Sequence, residues 1–157
     1  MTIVIWRVVH ILFACVWFGA GLTVGGDAKS ALQAKGKGGE LLIEKATKAF
    51  QRSFAAMILT FGSGLGLIFA KGGFKDVNPK VHMVLGLTLI AILLRAALGM
   101  PALAKLRKGV MGSDEDAAEA EGAKGKLSMA LGIEHLIFLI GLFFMVYGIY
   151  GPQDAAE

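Results

Sequence analysis

A chain of 157 residues with 55% hydrophobic side chains and a mean hydropathy of +0.66 is more apolar than soluble domains, where roughly 45–50% is usual. The net charge of +4 comes from basic residues in short stretches between apolar runs, where charge orients membrane helices, so nucleic-acid binding is set aside. A single cysteine, Cys15, excludes an internal disulfide and a thiolate metal cluster, and its place in the first apolar run predicts a small core residue.

Four apolar runs approach the ~20 residues that cross a ~30 Å hydrocarbon core. The first, Ile3 to Val24, carries Arg7 and His10 and no A-x-A-like cleavage site, which predicts a permanent helix rather than a secretion signal. Gly36, Gly38 and Gly39 mark the break after it. The second run, Phe54 to Ala70, follows an amphipathic stretch from Glu40 to Arg52 and is expected to continue that helix. The third, Val81 to Met100, is led in by Asn78 as N-cap and Pro79 at the first helical position, and Pro101 is expected to end or kink it. The acidic, small-residue stretch Gly112 to Gly125 predicts a mobile loop, and Leu127 to Tyr150 is the fourth run.

The expected architecture is therefore all-α, an integral membrane four-helix bundle with helices at about 3–25, 40–70, 79–101 and 127–150. Eleven Lys and Arg residues fall between helices one and two or three and four. Lys71, Lys75 and Lys80 fall on the opposite side, and the tail has none. Cytoplasmic loops retain the basic excess, so both termini are predicted periplasmic in a bacterial inner membrane. Frequent glycine, 22 residues, suits close contact between membrane helices.

Ionisable groups at membrane depth cost several kcal/mol unless paired or liganded, which makes Arg7, His10, His82, Arg95, Glu134 and His135 functional candidates. Arg95 and Glu134 lie roughly 15 Å and 12 Å from the same face, by the 1.5 Å helical rise, and are expected to form an ion pair between helices three and four. That pair either holds the bundle together or serves function, with Glu134 as a proton relay and Arg95 meeting a propionate or a quinone oxygen. On helix one, Arg7, His10, Ala14, Trp17 and Gly21 share a face, one wall of a pocket. On helix three, His82 and Gly86 share another.

Imidazoles on facing helices of a four-helix bundle hold haem iron when they lie at similar depth. The same counting puts His10 and His135 within roughly 4 Å of each other in depth. His10 with His82 is the alternative, with Arg7 or Lys80 pairing the propionates. Three histidines permit one six-coordinate haem with one left over. A copper ion would favour soft sulfur donors, and Met57, Met83, Met100, Met129 and Met145 are present without an M-x-x-M cluster.

The first helix, with His10, Trp17 and Gly19 in an H-x6-W-x-G pattern, resembles the opening of small membrane proteins related to HemJ-type protoporphyrinogen oxidase and the copper-resistance D membrane domain. Arg52 before the glycine-rich second helix and Pro79-Lys80-Val81-His82 before the third extend the likeness over about the first 100 residues. The resemblance implies a four-helix bundle binding b-type haem, with His10 as its first-helix ligand. HemJ-type proteins carry a lysine two positions after the third-helix histidine, where this chain has Val84, and they lack a pair like Glu134-His135. Haem binding is thus expected and porphyrinogen oxidation is not.

The leading expectation is a membrane b-type haem protein that transfers electrons or supports a haem-linked oxidoreductase reaction, with a quinone or a redox protein as partner and lipid as solvent. The alternatives are a non-redox accessory or assembly subunit, self-associated or bound to other chains, and a metal-handling membrane protein. A transporter is disfavoured, since neither an inverted repeat nor a broken helix is evident.

Overall fold

Each of the four apolar runs becomes a helix longer than the run itself. The computed structural model describes residues 2–34 and 36–150, and in it α1 spans Thr2–Ala34 and α2 spans Gly36–Ala70. α3 runs over Pro79–Met111, and α4 over Asp114–Tyr150. At 33 to 37 residues these helices are about 50–55 Å long, against a hydrocarbon core of about 30 Å. All four contain a stretch long and apolar enough to cross a membrane, so this is a multi-pass membrane protein with lipid as its main surroundings.

The surplus length lies at one end. Residues 26–34, 36–39, 102–111 and 114–126, expected to lie outside the helices, are helical, and with the stretch 40–52, expected as the start of the second helix, they build a charged stalk beyond the apolar bundle. The turn between α1 and α2 is tight. Gly36 takes φ 54°, a left-handed conformation open to glycine at little cost, and the chain doubles back within a residue. The stretch 112–125, predicted mobile, is helical from Asp114 onward. Ser113 starts it in a reciprocal cap: its N–H and hydroxyl donate to Asp116 Oδ2 at 3.0 and 2.9 Å, and the Asp116 N–H faces Ser113 Oγ at 3.5 Å. Ser113→Ala removes half of this cap, with an expected cost of about 1 kcal/mol, read as a lowered unfolding midpoint in detergent.

At the other end, Asn78 caps α3 as expected, its Oδ1 accepting from the Lys80 N–H at 2.9 Å, with Pro79 in the first turn. Pro101 does not end the helix. A wide turn at Arg95–Gly99, in which the Met100 N–H reaches back five residues to the Arg95 carbonyl, precedes it and lets the helix run on to Met111. Proline offers no N–H to the carbonyl four residues back and crowds it, and a widened turn is one way a helix absorbs that defect.

The larger buried apolar cluster sits at the stalk end. Small residues of all four helices, among them Ala28, Ala31, Ala46, Ala102, Ala120 and Ala123, close around Ile43, Leu106 and Leu127. In water the stalk must bury its apolar stripe to fold. In lipid there is no such driving force between helices, and large side chains such as Ile11, Leu12, Leu93, Leu139 and Phe143 face outward. A smaller cluster of Trp17, Ala56, Met57, Ala91 and Ile137 continues into the apolar bundle. Lys45 to Asp27 (3.1 Å) ties α1 to α2 in the stalk, and Lys105 to Glu119 (2.5 Å) ties α3 to α4.

Candidate functional site

Where α3 widens, Arg95 turns inward and is completely buried, and Glu134 of α4 faces it at 1% exposure. The guanidinium Nε donates to Glu134 Oε1 at 2.9 Å, and Nη2 stands 2.5 Å from Oε2, as an ion-pair contact outside hydrogen-bond geometry. Nη1 donates to the Ser53 hydroxyl of α2 at 2.8 Å, and that hydroxyl donates onward to the Trp17 carbonyl of α1 at 2.8 Å. The Phe50 ring covers the guanidinium at 4.8 Å. The expected Arg95–Glu134 pair therefore forms, as the centre of a cluster to which all four helices contribute.

Each guanidinium nitrogen has a protein partner, Nε and Nη1 by hydrogen bonds and Nη2 by the ion-pair contact, and one face of the plane is covered by Phe50, so the group is held chiefly by the protein itself. A buried charge pair in this setting is costly to break from one side only.

His135 borders the same cluster. Its ring meets Phe18 edge-on at 5.3 Å, and a methyl group added at Gly21 would stand 3.1 Å from its Nε2, 3.2 Å from Ser53 Oγ and 3.8 Å from Arg95 Nη2. Gly21 thus admits imidazole, hydroxyl and guanidinium side by side. Gly21→Ala is expected to wedge His135 and Ser53 apart and destabilise the bundle by about 1–3 kcal/mol, as overpacking does, measured by unfolding in detergent.

His10 lies elsewhere. Its Nδ1 is 3.0 Å from Ser63 Oγ of α2, and Gly64 lets the ring come close, since a methyl group there would stand 3.3 Å from His10 Cε1. The Ser63 hydroxyl has one proton and directs it to the Leu59 and Thr60 carbonyls, at 2.7 and 3.0 Å. With that proton on either carbonyl, the oxygen accepts from a His10 Nδ1–H, the tautomer in which Nε2 carries the lone pair. Trp6 lies against Gly66 one turn farther along, so α1 and α2 are in close contact throughout this half.

The depth match between His10 and His135 is corrected by the structure. His135 sits level with Gly21, eleven residues along α1 from His10, which is about 16 Å. The expectation assumed that α1 and α4 leave the membrane in one plane. In fact Gly25 lies against Leu131, five residues past the boundary residue Lys126, so the helices are staggered.

The other expected residues are spread out. His82 is exposed in the first turns of α3, with its ring 5.8 Å from Phe74. Gly86 has open space where a side chain would be. Of the proposed wall on α1, Gly21 and Trp17 are buried, His10 and Ala14 half-buried and Arg7 exposed; Trp17 packs edge-on against Phe138 at 5.2 Å. Cys15, expected in the core, is exposed, because that side of α1 faces outward. Among the described residues no group of three or more His, Cys, Asp or Glu side chains is placed to hold a metal ion. Met57 is buried, whereas Met83, Met100 and Met129 face outward and away from any common centre.

Sequence reasoning missed Ser53, and took Ser63 with Gly62, Gly64 and Gly66 only as a small-residue stretch permitting close helix contact or room for a flat macrocycle. Both serines lie on the stripe Phe50, Ser53, Met57, Thr60 and Ser63, spaced three and four apart, the buried face of α2. Hydroxyls on the packed face of a membrane helix were the available signal. Comparison with protein-family models, with curated proteins and with solved structures found no match.

Proposed function

We propose that this chain is a membrane-embedded b-type haem protein with His10 as axial ligand, oriented with its stalk in the cytoplasm and set in a bacterial inner membrane. The observation that carries this reading is the His10–Ser63 contact. A hydrogen bond to Nδ1 that aims the ring, in the tautomer that keeps the lone pair on Nε2, is what an imidazole ligand needs from its surroundings.

The fit differs among the three histidines. His10 fits as an axial ligand. His135 does not fit as the one opposite it, being about 16 Å away along α1. His82, at the same end of the bundle as His10, is the second ligand in this reading. Bound haem would supply one-electron transfer, with a quinone or a redox protein as the partner. What the chain supplies is the oriented imidazole, the low-dielectric shell of the surrounding helices, and the glycines of α2 that let α1 approach. The basic stalk residues support the orientation, and the H-x6-W-x-G pattern supports the haem.

Purified in detergent from cells with ample haem supply, the protein is expected to show a Soret band and, on reduction, sharp α and β bands. A colourless preparation overturns the reading. A second reading, a non-redox subunit of a membrane complex, is favoured by the buried Arg95–Glu134 cluster, which joins all four helices through the protein's own groups.

A further inference from the structure

A groove of about 510 Å³ runs between α2 and α3 where the apolar bundle passes into the stalk. Its floor is apolar, with Phe50, Met100, Leu103 and Met111, and its rim carries Arg107 and Lys108. The two ends differ. Phe50 and Met100 lie at the membrane end, close to the wide turn of α3, while Arg107 is seven residues, or about 10 Å, farther out. Counted from Lys105 at the end of the third span, Arg107 and Lys108 stand about 3–5 Å out, and headgroup layers add about 5–8 Å to each side of a ~30 Å core, so these cations reach the depth of lipid phosphates.

Among the described residues no acidic side chain lines the groove or forms an ion pair with Arg107 or Lys108. Glu44, which feels Arg107, is engaged by Lys48 at 2.7 Å. Of the two acids that feel Lys108, Asp116 is taken by the Ser113 cap and Glu119 by Lys105. Among the described residues, Arg107 and Lys108 thus present positive charge beside the apolar side chains of the groove.

We propose that this groove binds an anionic glycerophospholipid, with an acyl chain along Phe50, Met100 and Leu103 and the headgroup phosphate at Arg107 and Lys108. A cation near an anionic headgroup contributes about fivefold in affinity, so two give about 25-fold. The site is separate from the histidines and stands whether or not haem binds.

The test uses the full chain in detergent micelles, with phosphatidylglycerol or phosphatidylcholine added at equal concentration and retention read by native mass spectrometry. Phosphatidylglycerol is expected to be retained about 25-fold more tightly than phosphatidylcholine by the wild type, and the preference to vanish in the R107Q/K108Q double variant, whose changes are on exposed side chains. Ala104→Trp, at an exposed position in the groove wall, is expected to expel the lipid while leaving both cations. An unchanged preference in R107Q/K108Q overturns the proposal, as does full retention in A104W. Displacement of the lipid by millimolar inorganic phosphate also overturns it, by showing a phosphate site without a role for the chain.

Discussion

Glu134→Gln is expected to lower the stability of the folded bundle by about 3–5 kcal/mol, the cost of leaving one buried charge without its counter-charge. The amide keeps an oxygen for the Arg95 Nε, but it cannot neutralise a guanidinium that is completely buried. Ser53 and the Phe50 ring, the other partners, are uncharged. Changing Arg95 to Gln in the same chain is expected to recover most of the loss, and the difference between single and double variants in detergent unfolding measures the coupling. Replacing the pair with Met and Leu extends the test. If the cluster is only a clamp, an apolar pair of similar volume is expected to be as stable as the wild type or more so. A single Glu134→Gln change that leaves the unfolding midpoint in place would show that the ion pair contributes nothing net.

His10→Ala is expected to abolish the Soret band or reduce haem content severalfold, while His135→Ala leaves the spectrum intact. The distinction rests on geometry. Ser63 Oγ holds His10 Nδ1 at 3.0 Å and aims the ring, whereas His135 stands against Phe18 and Gly21 beside the Arg95 cluster, about 16 Å farther along α1. His82→Ala is expected to convert a six-coordinate spectrum to a five-coordinate one without losing the haem. Ser63→Ala keeps the ligand but frees the ring, so the haem should remain with a shifted midpoint potential, since hydrogen bonding to an axial histidine tunes its basicity. An unchanged spectrum in His10→Ala, or a colourless His135→Ala, contradicts the assignment.

The four spans, the cap at Asn78 and the pairing of Arg95 with Glu134 were legible in the sequence, because each depends on local pattern or on a penalty that only one partner relieves. The stalk was not. Gly112–Gly125 has the composition of a loop, yet its alanines at 117, 120 and 123 follow a helical spacing, and Ala120 and Ala123 find partners in α3. Charge and glycine obscured that period. Histidine depth was misjudged for a different reason: counting from the nearest lysine presumes that neighbouring helices leave the membrane together, and the stagger of α4 against α1 is set by packing such as Gly25 against Leu131. Pro101 marked a defect in α3 but not its form, since sequence does not distinguish a break from a widened turn.

The connections between helices bear on how such a chain enters a bilayer. α1 passes into α2 and α3 into α4 at the stalk, and residues 71–78 join α2 to α3 at the far side. In the orientation proposed above, with the stalk on the side of synthesis, the polar link that has to be carried across between spans is eight residues long, with Lys71, Lys75 and Asp76 as its charges, and the four charged arms of the stalk do not cross. Long loops and folded domains need active translocation, whereas a link this short can follow its flanking helices as they partition into lipid.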